Sequence, residues 1–259
     1  MTNYHFDLTG RTVLVTGASS GLGARFGRIL GASGANVVLA ARRLNLVQAL
    51  QAEIEAAGGR AIAVAMDVAD EASTKAAYDA AEAAFGPVDS VIANAGTNVE
   101  GLALDIDADA LDRIFSVNVR GVFLTAREGA RRMIAAGSPE RRHGRVVIIS
   151  SITATAISPG TGPYSASKAA VLQLGRVLAR DWARQGINVN MICPGYIETD
   201  MNAEWFETDG GRKQMNKWPR RRLMSEDSLD ATMLYFASDV CRDVTGSSII
   251  VDDGQSLAS

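Results

Sequence analysis

The stretch "RTVLVTGASSGLGARFGRILGASGANVVLA", residues 11–40, contains one whole structural unit. Its ends, "RTVLVT" (11–16) and "ANVVLA" (35–40), are short apolar runs rich in β-branched residues. Near-continuous runs of this kind suit strands covered on both faces of a sheet. Between them a glycine-rich turn opens a helical pattern near 22–33, which Gly34 closes. Strand, helix and strand in that order describe a parallel pair with a right-handed crossover.

The unit recurs along the chain. "AIAVA" (61–65), "DSVIA" (89–93), "RVVIIS" (145–150), "INVNMI" (187–192) and "SSIIV" (247–251) read as further strands. Helical patterns near 44–57, 70–84, 108–136, 161–185 and 226–238 alternate with them. Together they predict an α/β fold, a doubly wound seven-stranded parallel sheet with helices on both faces. No linker or low-complexity segment divides the chain, so residues 1–259 are expected to form a single domain. The loop "GSPERRHG" (137–144) reads as a plain connection. One long irregular stretch, about 195–225, is rich in charge and aromatics and falls where a substrate lid is expected.

Bulk properties exclude several classes of function. The 259 residues are 47% apolar and 21% charged, the balance of a globular protein. Twenty-six Lys and Arg against 29 Asp and Glu give a net charge of -3, so nothing favours nucleic acid or an anionic membrane. Cys193 and Cys241, with His5 and His143, lie far apart and offer no disulfide framework and no metal-ligand spacing. Residues 1–10 hold no Lys, Arg or apolar run, and no stretch of ~18 apolar residues follows. No signal peptide or membrane span is expected, and a cytoplasmic protein is.

In an open parallel sheet, ligands bind at the carboxyl ends of the strands. Here the first strand ends in Thr16-Gly17-Ala-Ser19-Ser20-Gly21-Leu22-Gly23 and the second in Ala41-Arg42-Arg43. The third ends in Asp67-Val68, the fourth in Asn94-Ala95-Gly96, the fifth in Ser150-Ser151 and the sixth in Pro194-Gly195. Six strand ends converge on one crevice. Glycines at the first allow a tight turn and close backbone approach, and the helix N-terminus behind them offers N–H groups and a positive dipole to a pyrophosphate. The alternative is a turn whose glycines serve backbone geometry alone.

Tyr164 and Lys168, in "YSASK", stand one turn apart at the start of a helix with Val171, Leu174, Leu178 and Trp182 at core spacing. A phenol beside an ammonium is a candidate acid/base group, because the cation favours the phenolate. Two snorkelling side chains at a helix end are the other reading.

T-G-x-x-x-G-x-G, N-A-G, an asparagine in "SVNVRG", a serine, Y-x-x-x-K and P-G occur here in that order. In this the chain resembles the short-chain dehydrogenase/reductase family, in its single-domain form, over essentially its whole length. The resemblance implies a Rossmann-like fold and a catalytic set of Asn118, Ser151, Tyr164 and Lys168. Ser151 precedes Tyr164 by thirteen residues, the family's interval; strand alternation turns the neighbouring Ser150 the other way. The implied reaction is hydride transfer between a nicotinamide and a carbonyl carbon. Tyr164 would handle the oxygen's proton, helped by Lys168 and a cationic nicotinamide, and Ser151 would hydrogen-bond that oxygen. Lys168 would also hold the nicotinamide ribose, and Asn118 would anchor a water relay.

Implied cofactor contacts are Gly17, Ser19, Ser20, Gly21, Leu22 and Gly23 at the pyrophosphate, Asp67 and Val68 at the adenine, and Asn94, Ala95 and Gly96 beside them. Tyr164, Lys168, Pro194, Gly195, Ile197 and Thr199 are implied at the nicotinamide end. Readers of NAD usually end the second strand with an acid. Ala41 stands here, followed by Arg42 and Arg43, whose guanidinium groups suit a 2′-phosphate. NADP(H) is therefore preferred, with NAD(H) possible; Ser20 stands where the family's other basic marker is expected. A solvated helix start is the alternative for the arginine pair.

Met201, Trp205, Phe206 and Trp218 fall in the expected lid, either lining an apolar pocket for a ketone or secondary alcohol or packing the lid onto the core. A carbonyl reductase or alcohol dehydrogenase is the first reading. "IETDM" and the tail from Arg221 resemble the 3-oxoacyl-carrier-protein reductase branch, although Val251-Asp-Asp-Gly254 departs from that branch's V-D-G-G. Arg220, Arg221 and Arg222 would meet an acidic carrier or lie in solvent. A non-catalytic cofactor-binding sensor is the reading from another class. The resemblance also implies a homotetramer paired through the helices near 108–136 and 161–185.

Overall fold

The computed structural model describes residues 6–99, 101–198 and 203–257. Seven strands form one all-parallel sheet: β1 (Thr12–Thr16), β2 (Asn36–Ala41), β3 (Arg60–Ala65), β4 (Ser90–Ala93), β5 (Gly144–Ile149), β6 (Ile187–Pro194) and β7 (Ser248–Val251). Their order across the sheet is β3-β2-β1-β4-β5-β6-β7. The chain winds outward from β1 in one direction to β3 and then returns to pair β4 on the other side of β1. This reversal opens a crevice at the carboxyl ends of β1 and β4.

Alternation along the strands fills both faces. Val13 and Val15 of β1 join a core under α1 (Gly21–Ala32), α2 (Leu44–Ala56) and, later in the chain, the helix Asp230–Ala237, through Phe26, Leu30, Val47, Leu50 and Phe236. Leu14, between them, joins the opposite core under α3 (Glu71–Phe85) and later helices, with Tyr78, Val91 and Val146. At the amino ends of the strands, buried Arg11 and Arg145 both pair with Asp239, tying β1 and β5 to the chain beyond the Asp230–Ala237 helix.

Three local features differ from the sequence expectation. The helix expected over 108–136 is α4 (Ala108–Phe115) and α5 (Val122–Ala135) joined by a π-helical turn, Ser116–Gly121. Such insertions occur where tertiary contacts outweigh regular i→i−4 bonding. Here Asn118 is held by another segment, and Gly121 approaches Val68 so closely that a Cβ would lie 2.7 Å from its Cγ2. Second, the connection at 137–144 holds a short helix, α6 (Ser138–Arg141), with proline in its first turn. Third, the stretch after β6 is partly regular. It forms α8 (Ala203–Glu207) and α9 (Asp209–Met215), the latter capped by Thr208 accepting from Gly211 N–H at 3.2 Å. The Tyr164 helix is α7 (Gly162–Trp182), and the helix Asp230–Ala237 is α10.

Candidate active site

The switch point is braced by Thr16 and Asn94. Thr16 Oγ1 accepts from the N–H groups of Asn94 (3.0 Å) and Ala95 (3.1 Å), and Asn94 Nδ2 donates to the Thr16 carbonyl at 2.9 Å. The glycine loop crosses directly above this brace. A Cβ on Gly17 would sit 2.9 Å from Ala95 Cα, and one on Gly23 would sit 2.2 Å from the Gly17 carbonyl oxygen. The backbone is thus as close as glycine allows, at the start of α1. Ser20, the N-cap of α1, makes no capping bond with its side chain, and the first turn holds no acid. A helix N-terminus left in this state accommodates an anion. The cradle fits a phosphate-bearing cofactor.

At the end of β2 the two arginines behave differently. Arg43 turns to the glycine loop: its guanidinium donates to Ser19 Oγ at 2.8 and 3.2 Å and to Ser20 Oγ at 2.9 Å. Arg42 is exposed and makes no side-chain hydrogen bond among the described residues. The cation beside the phosphate cradle is therefore Arg43, and Ser19 and Ser20 belong to its setting. Asp67 accepts from Ala69 N–H at 3.0 Å while its own N–H donates to Ser73, so the turn after β3 is fixed, with Val68 buried against Gly121.

Asn118 is fully buried in the π-helical turn. Its Oδ1 accepts from Thr97 N–H at 2.8 Å, and its Nδ2 donates to the Thr97 carbonyl at 2.9 Å and to Ser167 Oγ at 3.0 Å. One amide thus locks the loop after β4 to α7. Gly96 lies in that loop, and a Cβ there would lie 3.4 Å from Asn118 Oδ1 and 3.5 Å from Lys168 Nζ.

Ser151 caps a short turn after β5, accepting from the N–H and hydroxyl of Thr153, both at 3.1 Å. Its hydroxyl also meets the Tyr164 phenol. Ser150 points the opposite way and donates to the Lys168 carbonyl at 2.9 Å, as strand alternation predicts. Burial raises the Tyr164 pKa from its ordinary value, only partly offset by Ser151. Burial also pushes Lys168 down to about 8. The lysine ammonium lies 5.5 Å from the Tyr164 ring centroid and donates to the Ile149 carbonyl at 2.9 Å. In this state desolvation outweighs the stabilisation of phenolate that the i, i+4 spacing suggests.

Pro194 ends β6, and Gly195 N–H donates to the Val251 carbonyl at 2.9 Å. Ile197 is buried and pairs with Met224; Thr199 and Met201 lie outside the described residues. Phe206 and Trp218 are buried, packed edge-on and stacked against Tyr196 at 5.7 and 5.2 Å between ring centres. These two rings pack the segment down, while Trp205 stays 45% exposed. Tyr196, whose hydroxyl is 3.0 Å from Ser158 Oγ, escapes sequence reading, although its place directly after Pro194-Gly195 points to it. Ser167 and Thr97 escape too, since neither carries a motif. His143 pairs with Asp89 at the far end of the sheet, away from this site, and His5 lies outside the described residues.

A profile of the family described as short chain dehydrogenase matches residues 11–210. The chain belongs to that family. Among its relatives, "3beta-hydroxysteroid dehydrogenase 1" of Eggerthella lenta is 37% identical, with 97% of this chain and 95% of that protein aligned. "Oxidoreductase UcpA" of Salmonella typhimurium is 34% identical, with 96% of each aligned. The crystal structure of a gluconate 5-dehydrogenase from Burkholderia cenocepacia, in complex with NADP and tartrate, superposes with a TM-score of 0.91. It is 32% identical, covering 98% of each chain. Membership makes this short-chain dehydrogenase an oxidoreductase acting on CH–OH groups. Among the described residues no cluster of His, Cys, Asp or Glu suits a metal ion, and no helix is long and apolar enough to cross a membrane.

Proposed function

We propose that this short-chain dehydrogenase interconverts a secondary alcohol and its ketone with NADP(H), accepting NAD(H) less well. The observation that carries the reading is the Tyr164 phenol facing Ser151, with Lys168 beneath its ring, at the end of β5, two strands across the sheet from the glycine cradle after β1. The nicotinamide, when bound, gives or takes the hydride. Ser151 donates a hydrogen bond to the substrate oxygen, stabilising it as negative charge develops. Tyr164 gives that oxygen its proton in reduction and takes it in oxidation. Lys168, close to neutrality in pKa, carries enough positive charge at neutral pH to ease formation of the phenolate. Asn118 holds the loop after β4 and α7 at fixed separation, positioning Lys168.

Preference for NADP(H) rests on Arg43 at the cradle and on Ala41, which leaves the end of β2 without an acid. It agrees with the bound NADP of the Burkholderia cenocepacia neighbour. The segment after β6 acts as the substrate lid of this single domain. A cytoplasmic homotetramer accompanies this reading: Leu111, Ile134 and Val177 are exposed on α4, α5 and α7 and are the apolar contacts such pairing needs. A monomer by light scattering counts against it. For the carrier-protein reading, Arg220, Arg221 and Arg222 are the relevant cations, of which Arg220 and Arg222 pair with Asp253 while Arg221 is exposed. The sensor reading requires no turnover at all.

The experiment is Tyr164→Phe, followed by absorbance of the reduced nicotinamide over a panel of ketones, alcohols and one 3-oxoacyl thioester. Turnover falls on the order of a thousandfold or more if the phenol moves the proton. Near wild-type turnover with cofactor bound would sink the assignment.

A further inference from the structure

The turn after β7 reaches the candidate active site through one side chain. Gln255 is buried, and Asp252 fixes the turn that carries it. The Asp252 carboxylate accepts from the N–H groups of Gly254 at 2.9 Å and Ser256 at 2.8 Å. The Gln255 amide then faces the exit of β6. Its Oε1 accepts from Tyr196 N–H at 2.6 Å, and its Nε2 donates to the Tyr196 carbonyl at 3.1 Å and the Arg222 carbonyl at 3.4 Å. Gly195 makes this approach possible, since a Cβ there would lie 2.5 Å from Gln255 Oε1 and 2.9 Å from Asp252 Cα.

These bonds fall where the long segment after β6 leaves the sheet and where it comes back. Met224 N–H donates to the Tyr196 carbonyl at 3.1 Å, and Glu198 N–H donates to the Met224 carbonyl at 2.8 Å. One amide therefore pins both stems of the segment. Asp253 adds a second tie, pairing with Arg220 at 3.2 Å and Arg222 at 2.8 Å.

What the pin directs is the Tyr196 side chain. Its ring packs on Phe206 and Trp218, and its hydroxyl lies 3.0 Å from Ser158 Oγ. The Ser158 carbonyl accepts from the Thr161 hydroxyl at 2.8 Å, at the head of α7 and three residues before Tyr164. Burial is the main reason that the Tyr164 pKa lies above its ordinary value, and the Tyr196 phenol adds to it. Two phenols thus share one pocket. Only one of the two hydroxyl protons is spent between Ser158 and Tyr196, so the pair keeps a donor for a ligand.

We infer that Gln255 is a positioning residue of this site, acting through Tyr196, whose hydroxyl it aims at the substrate beside Tyr164. This rests on the hydride-transfer reading above.

The test is a double-mutant cycle in the full-length protein, Gln255→Met against Tyr196→Phe. It is read as kcat/KM with NADP+ for cyclohexanol and for the secondary alcohol of the panel that wild type oxidises fastest. Methionine keeps an unbranched side chain and makes none of the amide's bonds. Each single change is expected to cost about tenfold, and the two together little more than either alone. Misplacing the hydroxyl and removing it are then the same loss. A residue that only braces the fold costs the same with or without that hydroxyl, so losses that multiply overturn the inference, whatever the urea midpoints show. Wild-type kcat/KM in either single variant overturns it too. If Gln255→Met folds poorly, Gln255→Asn, whose amide is one methylene shorter, takes its place in the cycle. Wild-type protein that binds NADP+ and oxidises no alcohol overturns the hydride-transfer reading and this inference with it.

Discussion

Lys168 Nζ lies against the face of the Tyr164 ring, 5.5 Å from its centroid, while its hydrogen bond goes to the Ile149 carbonyl at 2.9 Å. The ammonium is buried with a neutral acceptor and no carboxylate, and burial brings its pKa down from 10.5 to about 8. The folded protein therefore binds fewer protons here than the unfolded chain between pH 8 and 10.5, and stability rises with pH across that window. Below pH 8 the group costs about 3 kcal/mol at most, from 1.36 kcal/mol per pKa unit. Lys168→Met removes this dependence. Urea titrations from pH 7 to pH 10 are expected to show the variant's advantage over wild type shrinking as pH rises. A pH-independent difference between the two would refute it. Cys241, raised by burial and not touched by Lys168, contributes to both proteins and cancels, whereas Cys193, which burial raises and Lys168 lowers, rises further in the variant and adds to the shrinking of its advantage as pH rises.

Asn118 offers a contrasting test, because its role is to hold two segments rather than to titrate. Asn118→Ala removes the side-chain partner of the N–H and carbonyl of exposed Thr97 and of the buried Ser167 hydroxyl, which keeps its bond to the Tyr164 carbonyl. The expected cost is about 1–2 kcal/mol by urea denaturation, since water can replace the lost partner at exposed Thr97 and only the Ser167 hydroxyl loses one inside the fold. Turnover is expected to fall at least about tenfold as Lys168 and Gly96 lose their spacing, since misplacement by a fraction of an ångström costs rate. Unchanged stability would remove the bracing role.

Most of the architecture was legible because its signals are local. The run 11–40 shows a strand, a glycine loop, a helix and a strand, and the structure has β1, α1 and β2 there. What escaped depends on contacts between distant segments. Nothing within 108–136 announces a π-helical turn, since it follows from Asn118 binding Thr97 and Gly121 meeting Val68. Likewise the sequence offers Arg42 and Arg43 as equals, and only the turn after β2 aims one of them at Ser19 and Ser20. The aromatics after β6 were ambiguous between pocket and packing. Phe206 and Trp218 resolve to packing through Tyr196.

That asymmetry between the arginines makes a prediction of its own. Arg43→Ala removes the guanidinium beside the cradle and is expected to raise the Kd for NADP+ roughly tenfold or more. One charge-assisted hydrogen bond to a phosphate is worth about 1.5–3 kcal/mol. The ratio of NADP+ to NAD+ affinity should fall by the same factor, whereas Arg42→Ala changes it less. Calorimetry with both cofactors decides it. A larger loss in Arg42→Ala would return the role to Arg42.

The glycine loop separates two kinds of glycine. Gly21 has φ +50° with nothing within 4 Å of an added Cβ, so an alanine there meets only the backbone penalty of a left-handed conformation, about 1 kcal/mol. Gly23 presents the reverse case. Its added Cβ would lie 2.2 Å from the Gly17 carbonyl oxygen and 2.6 Å from Asn94 Nδ2, and the first of these is backbone. Relief requires the loop to lift off the brace that joins Thr16 to Asn94, which moves the cradle and the end of β4 together. Gly23→Ala is therefore expected to cost about 3 kcal/mol, the upper range for overpacking, and to abolish cofactor binding. Gly21→Ala should keep a measurable affinity. Urea midpoints with cofactor titrations on the two variants compare them directly, and equal behaviour would mean that the loop is not held as tightly as these contacts require.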